Sequence, residues 1–317
     1  MQKLSVKKRI AIKSMVMIAF LGIYSCDTVE DKKGRFLLKG NEKIEENDPK
    51  SAISFYEEAI KLDSNYVDAY FNKAMAHLKI NQLDLAIHAL DDALKIDPSN
   101  FEGYFQRGLA YLDNGEFYKA REDAEKLISL DDQSWKSFFL SGLVEEKLNN
   151  YPKALASFEK AVSLDPTNSD LLVNQATLLY YENKSAEAME ILDQAELVNP
   201  MEPNLHNLRS MIYFDEGDYE NALNAVDKAI VINNSQAYYY NNKGLYLMYL
   251  GKLEEGLELV NQSLKMDSNN PFALRNKGIY YVMKGDKVTA MQFLAELSQN
   301  YPDMDLVAEY IQKAQAL

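Results

Sequence analysis

The chain has 317 residues, enough for roughly one to three globular domains with their own cores. Its 34 basic and 48 acidic residues give a net charge of −14. Because nucleic-acid phosphates favour Lys and Arg, this balance argues against a nucleic-acid partner and favours basic or neutral partners.

Residues 1–25 have the order of segments found in a secretory signal. Five basic residues precede the first acidic residue, and the apolar run MVMIAFLGIY then leads to Ser25 and Cys26. This run is too short to span a bilayer as a helix in the mature protein. The alternative interpretation is an N-terminal helix with an ordinary buried cysteine.

This segment resembles a bacterial lipoprotein signal, which is cleaved before a cysteine that becomes lipidated, although Tyr24 stands where a small residue is usual. The resemblance implies a signal peptide at residues 1–25, lipid attachment at Cys26 and a lipid-anchored linker at residues 26–32. It also implies a location in the bacterial cell envelope, at the outer membrane or the periplasmic face. Because Cys26 is the only cysteine, no thiol then remains for a disulfide or for catalysis.

Cleavage of this signal would make an acidic chain more acidic. The signal contains five basic and no acidic residues, so its removal changes the net charge from −14 to −19. Anionic lipids would repel such a chain, and the predicted anchor is therefore covalent.

From Lys33 onward the sequence repeats every 34 residues without an insertion or a deletion. Positions 4, 8 and 11 are spaced as one helical face, as are positions 20, 24 and 27, and this predicts two amphipathic helices, A and B, in each unit. The small residues at positions 8 and 20 allow the two helices to approach closely. Position 15 is always Gly or Asn, as expected where helix A ends in a left-handed conformation. The eight units are residues 33–66, 67–100, 101–134, 135–168, 169–202, 203–236, 237–270 and 271–304.

This pattern resembles that of the tetratricopeptide-repeat (TPR) family. The resemblance implies an all-α, right-handed superhelical solenoid of eight helix-turn-helix repeats, with residues 305–317 as a C-terminal capping helix. The departures from the family pattern predict local loosening of the repeats that contain them. They are Lys43 and Glu145 at position 11, Gly256 at position 20, and Leu127 and Leu297 at position 27.

The sequence contains no pattern typical of a catalytic, metal or cofactor site. The three histidines, His77, His88 and His206, lie in different predicted helices and lack the i, i+4 partner of a zinc-binding helix. Sequential carboxylates such as Asp91 and Asp92 diverge by about 100° around a helix and cannot converge on a substrate. We therefore predict a non-catalytic protein without a cofactor or a metal.

In the TPR family, helix A positions 2, 5, 6, 9, 12 and 13 line a concave groove, and this resemblance identifies candidate partner-binding residues. Asparagine recurs at position 6, where its amide suits the backbone of an extended peptide, and Arg275 is a candidate contact for a carboxylate. The alternative is that these asparagines and tyrosines only follow the family consensus. The predicted partner-binding residues are Asn72, Asn174, Tyr181, Tyr238, Asn241, Asn242, Tyr249, Phe272, Arg275 and Asn276.

These observations predict a lipid-anchored, non-catalytic scaffold that binds partner proteins or extended peptides in its groove, for secretion or for the assembly of envelope complexes. Repeats five and six contain three basic and twelve acidic residues, which favours a basic partner segment. Chaperone-binding relatives hold a terminal carboxylate with a clamp that needs a lysine at position 5. The first three repeats have Leu37, Phe71 and Phe105 at this position, so the sequence does not support that function. Two alternatives stay open: a cytoplasmic TPR co-chaperone or adaptor whose N-terminus only resembles a signal, and a substrate-recruiting subunit of an envelope enzyme.

Overall fold

The computed structural model describes residues 28–317, and all regular secondary structure in this range is α-helical. The predicted lipid-attachment residue Cys26 and the predicted signal peptide lie outside the described residues. The helices are α1 (Val29–Glu45), α2 (Pro49–Leu62), α3 (Val67–Lys79), α4 (Leu83–Ile96), α5 (Phe101–Asp113), α6 (Phe117–Leu130), α7 (Trp135–Lys147), α8 (Tyr151–Leu164), α9 (Ser169–Tyr181), α10 (Ser185–Val198), α11 (Pro203–Asp215), α12 (Tyr219–Ile232), α13 (Ala237–Tyr249), α14 (Leu253–Met266), α15 (Pro271–Met283), α16 (Lys287–Asn300) and α17 (Val307–Gln315).

Consecutive helices pack as A–B pairs, from α1 with α2 to α15 with α16, so the all-α helix-turn-helix fold is confirmed. The turn inside each pair depends on position 15. All eight residues at this position have positive φ, between 55° for Asn81 and 81° for Gly251. Asn and Gly adopt this left-handed conformation at low steric cost, which explains why only these two residue types occur there.

The two helices of a pair are held together by small residues facing large ones. Every alanine at position 20 is fully buried, as Ala154 illustrates. At position 8 of the fourth repeat, a Cβ built on Gly142 would lie 2.7 Å from a ring carbon of Phe158. The small residue therefore makes room for the large side chain at position 24 of the facing helix.

The structure corrects the prediction that Gly256 loosens the seventh repeat. A Cβ built on Gly256 would lie 2.6 Å from the carbonyl oxygen of Gly244 and 2.6 Å from Cγ of Met248. The paired glycines thus allow α13 and α14 to approach more closely than an alanine would permit. Leu127 and Leu297 are also buried, at 0% and 4% exposure, so the larger side chains at position 27 are accommodated in the core.

Helix α1 begins at Val29, inside the segment predicted as the linker at residues 26–32. Thr28 and Asp31 form a capping box, in which each side chain accepts a hydrogen bond of 3.0 Å from the backbone N–H of the other residue. This cap starts the helix before position 1 of the first repeat. Residues 29–32 of the predicted linker are therefore helical.

The part of the chain that the structure describes forms two compact units. The first unit ends at Leu130 and contains α1–α6, and the second unit extends from Asp131 to Leu317 and contains α7–α17. In the second unit, Tyr239 and Tyr246 of α13 belong to a core that also includes Tyr310 and Ala314 of α17. The final helix is therefore packed against the preceding repeats.

Candidate functional site

Successive A helices of the second unit line a groove with a cavity volume of about 840 Å³. The face that they present is the one predicted from the repeat pattern, and the segment between α16 and α17 completes the groove. The residues lining this groove are Tyr180, Tyr181, Asn183, Ser185, Met211, Phe214, Asp215, Asn242, Leu245, Tyr246, Phe272, Arg275, Asp305 and Leu306.

Aromatic rings form much of the groove wall. The rings of Tyr180 and Tyr181 on α9 have their centroids 5.5 Å apart. Phe214 on α11 stacks on Tyr246 with a centroid distance of 5.1 Å and meets Tyr249 edge to face at 4.9 Å. Such contacts fix the rings, so they present contact area that needs little ordering on binding.

One carboxylate of the groove, Asp215 at the end of α11, is held by a tyrosine. The Tyr180 hydroxyl donates a 2.6 Å hydrogen bond to Oδ2 of Asp215. Burial raises the pKa of Asp215 above its usual value, although the residue keeps access to solvent. Sequence reasoning missed Asp215 as a site residue, although it stands at position 13, one of the groove-facing positions.

The predicted site residue Arg275 lies in the groove but is almost fully buried, with 7% exposure. Its Nε donates to Oδ1 of Asn276 at 3.0 Å, and its Nη1 donates to the backbone carbonyl of Asp305 at 3.2 Å. Burial lowers the pKa of Arg275 below its usual value. The guanidinium is therefore bound by neutral acceptors within its own unit.

Four of the five predicted asparagines form a hydrogen bond with an asparagine of a neighbouring repeat. Nδ2 of Asn276 donates to Oδ1 of Asn241 at 2.7 Å, and both residues are buried, with 0% and 1% exposure. Nδ2 of Asn242 donates to Oδ1 of Asn207 at 3.0 Å. Oδ1 of Asn241 and both polar atoms of the Asn276 amide are thus engaged, and a partner would contact the surface around them.

The remaining two asparagines have separate surroundings. Asn174 donates to the backbone carbonyl of Asp170 in its own helix at 2.7 Å. Asn72 belongs to the first unit, where it donates to Asn41 at 3.1 Å and lines a cavity of about 370 Å³. The structure therefore does not place the predicted asparagines in a single row of free amides. The partners Asn41 and Asn207 precede Asn72 and Asn242 by 31 and 35 residues, which is close to the repeat length of 34 residues.

Three predicted aromatic residues remain accessible in the second unit. Tyr181 is 54% exposed and Phe272 is 50% exposed, and both line the groove. Tyr238 is 38% exposed and donates to Asn204 at 2.8 Å. Tyr249 accepts a 2.9 Å hydrogen bond from Tyr310 and so contributes to the attachment of α17.

Within residues 28–317, no group of three or more His, Cys, Asp or Glu residues is arranged to hold a metal ion. His77 is buried, and its Nδ1 lies 2.7 Å from Oε1 of Gln82. Nε2 of His206 lies 2.8 Å from the backbone carbonyl oxygen of Pro200. None of the helices in this part of the chain has the length and apolarity needed to cross a membrane.

Comparisons with known proteins agree with this architecture. Tetratricopeptide-repeat family models match residues 43–110 and 147–212, residues 105–169 and 241–305, and residues 203–236. These matches together cover most of the chain. A comparison with curated proteins finds no significant match.

Several solved structures have a similar fold. A tetratricopeptide-repeat protein from Parabacteroides merdae has 18% identity and a TM-score of 0.66, over 77% of this chain and 97% of that chain. PilW, described as a widely conserved type IV pilus biogenesis factor, has 20% identity and a TM-score of 0.56, over 64% and 94%. Yeast Tom70 has 20% identity and a TM-score of 0.59, over 92% and 65%. At these identities the similarity concerns the fold alone.

Proposed function

The chain belongs to the tetratricopeptide-repeat family, and from this premise we propose that it is a non-catalytic scaffold that binds extended segments of partner proteins in the groove of its second unit. We propose further that Cys26 carries lipid and holds the scaffold at a bacterial envelope membrane. Its role there would be to bring together the components of a secretion or envelope complex.

The observation that carries this proposal is the groove itself. It combines fixed aromatic rings with accessible side chains, namely Tyr181 and Phe272. Aromatic residues of this kind dominate the binding energy of protein interfaces, because they bury much apolar area at a small cost in side-chain entropy. The cavity volume of about 840 Å³ has room for several side chains of an extended segment.

The proposed setting rests on the signal-like N-terminus and on the similarity to PilW, whose description names pilus biogenesis. We propose that such a scaffold acts by binding and positioning other proteins. We therefore propose envelope-complex assembly as the process.

The test of this function compares two double variants of the full chain. Tyr181→Ala with Phe272→Ala should weaken binding of the envelope partners by about tenfold or more, because two exposed aromatic contacts are lost. The measurement is quantitative mass spectrometry of proteins that copurify with the chain from envelopes.

The matched control is Tyr118→Ala with Leu197→Ala, since both residues are exposed and neither lines the groove. Circular dichroism should give the same helicity and melting temperature for both double variants. If the control loses the partners and the groove variant keeps them, the binding surface lies elsewhere and the proposal is wrong.

A further inference from the structure

The charged groups of the groove are two carboxylates, Asp215 and Asp305, and one guanidinium, Arg275. Among residues 28–317, no lysine or arginine forms an ion pair with either carboxylate. Tyr180 binds Oδ2 of Asp215, and Oδ1 has no hydrogen-bond partner in this part of the chain. Asp215 therefore offers a free acceptor to an incoming group.

Arg275 does not neutralise this acceptor by direct contact. Its guanidinium is 7% exposed and is held by Asn276 and by the carbonyl of Asp305. Asp215, in contrast, is exposed. A ligand entering the groove thus meets the carboxylate more readily than the guanidinium.

The wall beside this acceptor is aromatic. Tyr180 contacts Asp215 through its hydrogen bond, and the Tyr181 ring lies 5.5 Å from the Tyr180 ring in the same groove. Phe214 precedes Asp215 on α11. The faces of such rings attract ammonium and guanidinium groups electrostatically. A carboxylate next to aromatic faces suits a lysine or arginine side chain, whose stem is apolar and whose end is charged.

The surrounding repeats strengthen the same preference. Repeats five and six contain twelve acidic and three basic residues. Two of the three basic residues already form ion pairs within these repeats. Lys184 pairs with Glu182 at 2.7 Å, and Arg209 pairs with Asp193 at 2.7 Å. The uncompensated charge of these repeats is negative, so it attracts a basic segment and repels an acidic one.

We infer that the groove takes a basic extended segment of a partner protein, with one lysine or arginine side chain donating to Oδ1 of Asp215 against the aromatic wall of Tyr180, Tyr181 and Phe214. This inference rests on the proposed function and specifies its ligand. It also reverses the carboxylate contact predicted for Arg275 from the sequence.

The experiment uses the purified full chain and a positional-scanning library of fluorescent nonapeptides. Three pools have arginine, norleucine or glutamate fixed at the central residue, and fluorescence polarisation measures their dissociation constants. We expect the arginine pool to bind about tenfold more tightly than the norleucine pool, and the glutamate pool to bind most weakly.

The variant Asp215→Asn should reduce the arginine preference to about twofold or less, because it removes the charge and keeps a side-chain oxygen for Tyr180. The control Asp303→Asn removes one exposed carboxylate outside the groove lining and should retain the preference. Circular dichroism of both variants checks that the helices are intact.

Tighter binding of the glutamate pool would overturn the inference and would identify Arg275 as the anchor. Equal binding of the three pools, lost in the Tyr181→Ala with Phe272→Ala variant, would overturn the inference and leave the proposed function in place. Binding of no pool would count against both proposals.

Discussion

Arg107 on α5 joins two B helices of the first unit through charged hydrogen bonds. Its Nε donates to Oδ2 of Asp123 at 2.9 Å, and its Nη1 donates to Oδ1 of Asp91 at 2.7 Å. Asp123 is only 2% exposed, and burial raises its pKa above the usual value despite the nearby guanidinium. The buried carboxylate therefore depends on Arg107 for its stability in the charged form.

We predict that Arg107→Met lowers the free energy of unfolding by about 3 kcal/mol at neutral pH, because Asp123 is left buried without a counter-charge. The measurement is urea denaturation followed by circular dichroism. The control is Lys95→Met, which removes an exposed pair with Asp92 and should cost less than about 1 kcal/mol. Equal costs for the two variants would contradict a special role for the buried pair.

The sequence predicts which residues face the groove but not which hydrogen bonds they form. Repeat positions identified Tyr181, Phe272 and Arg275 as groove residues, because position alone decides which face of a helix a residue occupies. Position does not decide hydrogen bonding. The pairing of Asn276 with Asn241 depends on the rotamers and on the distance between neighbouring helices, which no single repeat encodes.

At the scale of the helical pair, the fold was predictable because its determinants are local. The left-handed residue at position 15, exemplified by Asn183 with φ of 60°, needs only Gly or Asn at one place in each repeat. The start of α1 was predicted less well, since the capping box of Thr28 and Asp31 lies outside the repeat pattern.

Gly256 allows α13 and α14 to pack more closely than the other helical pairs' alanine would permit. Gly256→Ala restores the residue that the other seven repeats have at position 20, yet we expect it to destabilise the chain by about 1–3 kcal/mol. The added Cβ would lie 2.6 Å from the backbone oxygen of Gly244, so α13 and α14 would have to separate. Thermal and urea denaturation of the full chain measure the change.

The control for this prediction is Gly34→Ala in α1. A Cβ at Gly34 would meet no atom within 4 Å, so the substitution should stabilise the chain by about 0.5–1 kcal/mol through helix propensity alone. A stabilising effect at both glycines would show that α13 and α14 have room for the consensus alanine, in conflict with the geometry.

At the scale of the whole molecule, charge restricts the ways in which the chain can attach to a membrane. The net charge is −14, and it becomes −19 if the predicted signal is removed. An anionic lipid surface repels a chain of this charge, so electrostatic attachment is unfavourable. We propose the lipid on Cys26 as the alternative, and the early start of α1 at Val29 then places the first repeat within a few residues of the lipidated cysteine.

We predict that Cys26→Ala releases the chain from the envelope membrane or leaves it as the unprocessed precursor, because the sulfur that would carry the lipid is absent. The control Ser25→Ala keeps a small residue before the cysteine and should retain both processing and attachment. Fractionation in about 1 M salt, where the Debye length is about 3 Å, removes electrostatically bound protein and leaves lipid-anchored protein in the membrane fraction. If Cys26→Ala still sediments with membranes under these conditions and migrates like the wild-type chain, the attachment does not depend on Cys26 and the proposed anchor is wrong.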